Sequence, residues 1–188
     1  DKKDTGTIIK WKPDLEVFTD INITADYFLD VMKKQSIVNA GVNFVFRNQV
    51  NGKFEVTEFK YENGITDYVK EVVGDQGLST TQTWSTEQKV RDRKDKPEYK
   101  CKMTIAVAFS NKVSMHEYYH NSSYLEYGGA PEKAVKNAFV YQIDQWLKNN
   151  GKYTKNEKKI TFEDVEDCLV IVISSFSSMT SYENQTKK

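Results

Sequence analysis

The chain has 188 residues, of which 29% are charged and 38% hydrophobic, with nine glycines and three prolines. This composition excludes a collagen, a coiled coil and a wholly disordered chain, and the length suits one domain. Basic and acidic residues number 27 each, so there is no overall basic field for nucleic acids. No run approaches the ~20 apolar residues that span a bilayer and no signal segment opens the chain, so we expect a soluble cytoplasmic protein without membrane contact.

The first elements are a short strand and a helix. Residues 7–11 are β-prone and are followed by Pro13, which cannot donate to a ladder, so we expect a short strand that ends there or lies at a sheet edge. Thr24 precedes a helix predicted over residues 25–38, whose apolar positions recur at helical spacing. Asn39-Ala40-Gly41 is the predicted stop.

A hairpin and a second helix follow. Residues 42–46 and 54–61 are predicted strands, and Asn51-Gly52 between them is a strong hairpin signal. Residues 65–73 form a predicted short helix with its apolar side chains on one face.

The central third is predicted to be mainly strands, over residues 80–86, 99–110 and 112–120. The second of these has the clearest alternation in the chain, with one face formed by Tyr99, Cys101, Met103, Ile105, Val107 and Phe109.

The last third predicts a long helix over residues 131–149, a short helix over 161–167 and a buried strand over 169–176. Residues 1–5 and 177–188 are polar and are expected to be flexible ends. Irregular alternation of helices with hairpins favours an α+β fold with a mixed sheet. Because no linker divides the chain, we interpret residues 1–188 as a single domain.

Two basic runs stand out against the neutral average. The candidate DNA-contact residues are Lys89, Arg91, Arg93, Lys94, Lys152 and Lys155. Such runs are commonly solvated turns, and the alternative is a positive rim that contacts phosphates without sequence specificity.

The thiol and imidazole side chains suggest two further sites. His116 and His120 share a face at a spacing of four, but no third ligand is evident, so no metal site is predicted. A small hydrolase using Cys101 with His116 is an open alternative. Both Cys101 and Cys168 lie in apolar runs, which disfavour the thiolate, so buried free thiols are expected.

Four motifs follow one another along the chain. Residues 6–14 read Gly-Thr, a β-run and Trp-x-Pro, and residues 59–65 read Phe-x-Tyr-Glu-Asn-Gly-Ile. Asn121 is followed by Gly128-Gly129, and residues 182–187 read Tyr-Glu-Asn-Gln-Thr-Lys. In this order they resemble the opening, the Phe-x-Tyr-x-Gly-Gly-Ile turn, the Asn-Asn and Gly-Gly element and the Phe-Glu-Gly-Gln-Thr-Lys loop of the second, transducer domain of bacterial DNA gyrase and topoisomerase IV B subunits. Departures such as Ala130-Pro131, where the family has Thr-His, indicate a divergent member.

The resemblance implies a ribosomal-protein-type α+β fold, a mixed sheet with helices on one face, and a left-handed βαβ crossover. It also implies that Gln185 and Lys187 reach the nucleotide pocket of a preceding ATPase domain. There, Lys187 would contact the ATP γ-phosphate as a catalytic residue and Gln185 would help to hold the same phosphate. ATP and Mg²⁺ belong to the full-length protein, and no cofactor is expected in this chain alone.

In functional terms, the resemblance implies a transducer that couples ATP binding and hydrolysis to DNA gate movement and strand passage. Implied partners are the protein's own ATPase and toprim domains, a gyrase A-type subunit, double-stranded DNA and a second B subunit that dimerises on ATP binding. The ATPase and toprim domains are not part of this sequence, so the isolated domain is predicted to be inactive. The main alternative is a nucleic-acid- or protein-binding α+β module that has lost ATP coupling.

Overall fold

A computed structural model of the chain describes residues 5–179. These residues form two sheets and four helices. In chain order the elements are α1 (Ala25–Val38), β1 (Phe44–Val50), β2 (Lys53–Phe59), α2 (Ile65–Val73), β3 (Gln82–Val90), β4 (Tyr99–Phe109), β5 (Met115–His120), β6 (Ser123–Tyr124), α3 (Gly129–Asn149), α4 (Glu163–Glu166) and β7 (Leu169–Ser177).

The larger sheet has five strands in the order β3-β4-β7-β5-β6. Its central strand, β7, pairs antiparallel with β4 and parallel with β5, so the sheet is mixed. The first five residues of β7 are apolar and buried without alternation, as expected of a strand covered on both sides. The predicted α+β class and mixed sheet are confirmed.

Helices cover both faces of this sheet, so the expectation of helices on one face was wrong. Val170 and Val172 of β7 pack with Val69 of α2 and the end of α1. The alternate residues Leu169 and Ile171 pack on the opposite face, in a cluster that includes α3 and α4. Because successive strand residues point to opposite faces, a central strand with five consecutive apolar residues needs a helical layer on each side.

The smaller sheet is the β1–β2 hairpin. Val50 pairs with Lys53 across a two-residue turn, and Asn51 and Gly52 have φ values of 49° and 79°. Positive φ at both residues defines a turn that suits the twist of a hairpin, which explains why Asn-Gly predicts it correctly. Phe28 of α1 stacks on Phe46 of β1 at a centroid distance of 5.6 Å, which fixes the helix on the hairpin.

The predicted strand over residues 7–11 does not form. No β-strand partner lies beside these residues in the described part of the chain. Ile8 is 97% exposed and Ile9 76% exposed. Their apolar side chains are therefore available for contact with another surface.

The parallel pair β5–β7 is joined by α3 and α4, which makes a βαβ unit. The handedness of this crossover stays a prediction. Among residues 5–179, no helix has the length and apolarity needed to cross a bilayer.

Candidate functional site

The thiol and imidazole candidates do not meet. Cys101 pairs with Ser177 near one end of β7, whereas His116 pairs with Ile171, six residues earlier on that strand. At ~3.3 Å per residue this separates them by about 20 Å along the sheet. The geometry therefore does not support a hydrolase using Cys101 with His116. Cys101 and Cys168 are free thiols, as expected, but they are half-buried rather than buried.

The two histidines have different surroundings. His120 Nδ1 lies 2.8 Å from Ser175 Oγ, while His116 Nε2 is buried and has no hydrogen-bond partner among the described residues. Within the described ranges, no three His, Cys, Asp or Glu side chains are grouped so as to hold a metal ion.

Gln185 and Lys187 lie outside the described residues, but the strand that leads to them is well defined. Ser177, the last residue of β7, is 8% exposed. Its neighbour Ser178 donates its backbone N–H to the carbonyl oxygen of Lys100 in β4 at 3.1 Å. Lys187 follows ten residues after Ser177, and ten extended residues span at most ~35 Å. The end of β7 is therefore the last strand position before these two residues in the chain.

One basic surface is the turn between β3 and β4. Two of its candidate contacts are engaged, because Arg91 pairs with Glu98 at 2.8 Å and Arg93 lies 3.8 Å from Asp95. The other two candidates, Lys89 and Lys94, are exposed and form no ion pair with any described residue. An incoming phosphate would meet these two candidates, Lys89 at the end of β3 and Lys94 in the turn, without a carboxylate partner among the described residues.

The second basic surface is the loop over residues 150–160, which follows α3. It is held by Asp144, a carboxylate 1% exposed, which accepts hydrogen bonds from Lys148 Nζ at 2.7 Å and Tyr153 Oη at 3.0 Å. The Lys148 hydrogen bond, reinforced by Tyr153, holds the pKa of Asp144 below its ordinary value although burial acts in the opposite direction. The candidate contacts Lys152 and Lys155 are exposed on this loop.

The two basic surfaces lie towards opposite ends of the five-stranded sheet. The β3–β4 turn is at the end where Cys101 meets Ser177. The loop over residues 150–160 leads instead into α4 and the start of β7, where Leu169 pairs with Phe109. Any nucleic-acid contacts made by the two runs are therefore separate.

A half-buried carboxylate bound by two buried tyrosines was not predicted. Glu117 Oε1 accepts a hydrogen bond from Tyr68 Oη at 3.0 Å, and Glu117 Oε2 accepts one from Tyr119 Oη at 2.7 Å. Burial, followed by the nearby Glu117 charge, raises the pKa of both tyrosines. The sequence signal that could have indicated this cluster is Glu117, a lone carboxylate on the strand face that it shares with Met115 and Tyr119. The cluster ties α2 to β5.

An exposed apolar surface lies at the amino-terminal side of the chain. We define the amino-terminal apolar surface by Ile8, Ile9, Trp11, Phe28 and Phe54. These residues line a cavity of about 550 Å³ between residues 8–13, α1 and the β1–β2 hairpin. Trp11 and Phe54 are each at least half exposed. Exposed apolar patches of this kind mark contact sites.

The fold resembles that of solved B-subunit structures of bacterial type II topoisomerases. The 43K ATPase domain of Thermus thermophilus gyrase B, in complex with an aminocoumarin, matches with a TM-score of 0.62 and 17% identity over 92% of this chain and 44% of that one. The B-subunit of the DNA gyrase from Myxococcus xanthus matches with a TM-score of 0.68 and 14% identity over 93% of this chain and 46% of that one.

Sequence similarity then identifies the family. The model of the family described as DNA gyrase B matches residues 64–188, so the chain belongs to the DNA gyrase B family. It is 26% identical to the DNA gyrase B protein of Mycoplasmoides gallisepticum and 25% identical to that of Streptococcus pneumoniae, over all of this chain in both cases. The chain spans only 29% and 28% of the length of these two relatives.

Proposed function

We propose that this chain is the transducer region of a type IIA DNA topoisomerase B subunit. It would couple ATP binding and hydrolysis in a neighbouring ATPase domain to DNA gate movement and strand passage. The observation that carries the proposal is the extent of the family match, which runs from Gly64 through the whole five-stranded sheet to Lys188. The segment that contains Gln185 and Lys187 thus belongs to the same matched unit as the sheet.

The proposed contact is electrostatic. Lys187 contacts the ATP γ-phosphate, stabilises charge during phosphoryl transfer and acts as the catalytic residue of this chain, and Gln185 hydrogen-bonds the same phosphate. A lysine ammonium is a compact point charge on a flexible stem. Loss of the γ-phosphate removes its anionic partner, so Lys187 interacts differently with ATP and with ADP. Only such a differential interaction can shift a domain between two arrangements.

ATP and Mg²⁺ would be bound by the full-length protein. Mg²⁺ neutralises phosphate charge in phosphoryl transfer. The described residues offer no cluster suited to a metal ion, so we assign this chain only the contacts of Gln185 and Lys187.

The amino-terminal apolar surface is where we propose that the ATPase domain packs. The ring centroids of Trp11 and Phe28 lie 5.2 Å apart. Ile8 and Ile9, which belong to the same surface, are exposed. Covering these side chains would remove apolar area from water, which stabilises by roughly 25 cal/mol per Å². A toprim domain, a gyrase A-type subunit and a second B subunit are the further proposed protein partners, and the isolated chain would hydrolyse no ATP.

Double-stranded DNA is the proposed nucleic-acid partner. Lys89 and Lys94 at one end of the sheet, and Lys152 and Lys155 at the other, form no ion pair with residues 5–179, and their exposed ammonium groups are suited to phosphate contacts without base readout. The engaged Arg91 and Arg93 would have to exchange their carboxylate partners for phosphates.

The test is the Lys187→Ala variant of the full-length B subunit. Loss of a charge that stabilises a transferring phosphoryl group lowers kcat by ~10²-fold or more, and DNA strand passage should fall with it. Lys188→Ala removes the adjacent ammonium and should keep wild-type turnover. Unchanged ATP turnover in Lys187→Ala would instead favour a binding module that has lost ATP coupling.

A further inference from the structure

Two buried polar groups lie two residues apart on one face of β5. Tyr118 is 4% exposed, and its Oη atom is buried with no hydrogen-bond partner among the described residues. The same holds for His116 Nε2. Because residues two apart on a strand point to the same face, both side chains point to the side of the sheet that α3 and α4 cover.

The start of α3 and the residue before α4 lie over these two groups. The ring centroids of His116 and Phe162 are 5.8 Å apart, and Lys136 Nζ lies 5.5 Å from the centre of the Phe162 ring. Lys136 Nζ also pairs with Glu132 Oε1 at 3.0 Å. Burial, followed by the Glu132 charge, raises the pKa of Tyr118 to about 12. The Glu132 carboxylate is therefore close enough to act on the Tyr118 hydroxyl.

The apolar neighbours of these groups offer them no partner. His116 pairs with Ile171 and Tyr118 pairs with Ile173 across the parallel ladder, and both isoleucines are buried. Val135 of α3 packs in the same cluster. A buried polar atom among such side chains either finds another hydrogen-bond partner or lowers the stability of the fold.

Water has the chemistry that suits this position. It donates and accepts, so it can accept the Tyr118 hydroxyl hydrogen and can serve either tautomer of His116. Internal waters typically make about three hydrogen bonds to buried polar groups that the protein itself leaves unsatisfied, and the Glu132 carboxylate offers a third acceptor. Among the described residues, no group of three His, Cys, Asp or Glu side chains is suited to a metal ion instead.

We propose that His116 and Tyr118, with Glu132 as the third partner, form an internal water-binding site between β5 and the start of α3. The inference does not depend on the proposed function. The bound water ties the strand to the first turn of α3 by hydrogen bonds, in addition to the apolar packing of that helix.

The Tyr118→Phe variant of the 188-residue chain tests the site by the sign of its effect. If water binds, the variant loses a hydrogen bond, and the equilibrium constant for urea unfolding should rise by roughly fivefold. If the hydroxyl has no partner, phenylalanine removes an uncompensated polar group and the constant should fall. An unchanged or lower constant overturns the inference. Tyr141→Phe is the control, since this side chain is 60% exposed on α3, and it should keep the wild-type constant.

A second variant tests whether the two groups share the water. If they do, His116→Leu already releases it, so Tyr118→Phe should raise the unfolding constant by no more than about twofold in that background. An equal rise in both backgrounds overturns the shared site.

A crystal structure of the wild-type chain gives the direct test, and it decides the question even if His116→Leu does not fold. We expect a water oxygen within about 3.2 Å of Tyr118 Oη. A direct hydrogen bond from Tyr118 to Glu132, or any ordered structure of this site without that water, overturns the inference.

Discussion

Tyr153 donates its hydroxyl hydrogen to the buried carboxylate of Asp144 over 3.0 Å, which ties the loop after α3 back to that helix. The same hydroxyl oxygen accepts a hydrogen bond from Ile160 N at 3.1 Å. One phenol thereby fixes both ends of the basic loop over residues 150–160.

Removing this hydroxyl should destabilise the chain. In Tyr153→Phe, Asp144 loses one donor and Ile160 N loses its acceptor, so we expect the free energy of unfolding to fall by about 1–3 kcal/mol. Urea unfolding followed by circular dichroism measures the change. Tyr141→Phe is the control, since Tyr141 lies on α3, the helix that carries Asp144, and is 60% exposed. This control should change the free energy of unfolding by no more than about 0.5 kcal/mol.

Asp144 should also make stability depend on acid pH. Its folded-state pKa is depressed by the Lys148 hydrogen bond. Its contribution is therefore fully present above the unfolded pKa of about 3.9 and is lost as pH falls below that value towards the folded pKa. The free energy of unfolding should fall less steeply from pH 5 to pH 3 in Asp144→Asn than in the wild type. Equal slopes would contradict this role, and Asp75→Asn, an exposed loop change, should keep the wild-type slope.

Gly64 should tolerate no side chain. It has φ 55° and ψ −127°, and a Cβ there would lie 3.0 Å from Ile37 O and 3.2 Å from Ala40 Cβ. Gly74 shares this backbone conformation, at φ 54° and ψ −128°, but has nothing within 4 Å. Gly74→Ala should therefore cost only the backbone strain, about 1–3 kcal/mol. Gly64→Ala should cost ~1–3 kcal/mol more from overpacking, as measured by urea unfolding, and equal costs would exclude a tight contact between α1 and α2.

The β3–β4 turn can be tested by salt dependence. Each phosphate contact contributes about −0.9 to the slope of log Kobs against log salt concentration. A Lys89→Ala, Lys94→Ala double variant of the full-length protein should therefore bind duplex DNA with a slope shallower by ~1.8. Lys60→Ala, whose ammonium already pairs with Glu62, should leave the slope unchanged. A wild-type slope in the double variant would remove this turn from the DNA interface.

Packing of the ATPase domain should protect Ile8 from solvent. In a background of Cys101→Ala and Cys168→Ala, Ile8→Cys should react with a thiol reagent at least roughly tenfold more slowly in the full-length protein than in this chain alone, because a covered thiol reacts only on opening. Thr86→Cys, on exposed β3, should react at similar rates in both proteins. Equal rates at position 8 would exclude this surface as the docking site.

Local patterns were sufficient to predict the helices and most strands. Residues 25–38 and 65–73 were predicted within their observed bounds, Ala25–Val38 and Ile65–Val73, because one apolar face recurs at helical spacing. The alternation over residues 99–110 also identified the face of β4 that packs under α3. Such patterns show which side of an element is buried, but not which element covers it. The expectation of helices on only one face came from the family resemblance, and local patterns could not correct it.

Features that depend on distant contacts were missed. A strand forms only beside a partner, so the β-prone composition of residues 7–11 did not make them a strand. Asn121 and Ser177 are 56 positions apart, and the hydrogen bonds between the Asn121 side chain and the Ser177 backbone depend on the parallel pairing of β5 with β7. Asp144 had no distinguishing signal, because a charged residue at helical spacing is ordinarily solvated. Gln185 and Lys187 were identified only through a family resemblance and remain predictions.

The central position of β7 also constrains when the protein can fold during synthesis. This strand joins β4 on one side and β5 on the other, yet it is translated after both of them. Until residue 177 has been synthesised, the earlier strands lack β7, their neighbour in the folded sheet, and they expose apolar side chains. Nascent chains with such exposed surfaces rely on chaperones. The segment proposed to sense the nucleotide is thus made only after the last strand needed to close the sheet.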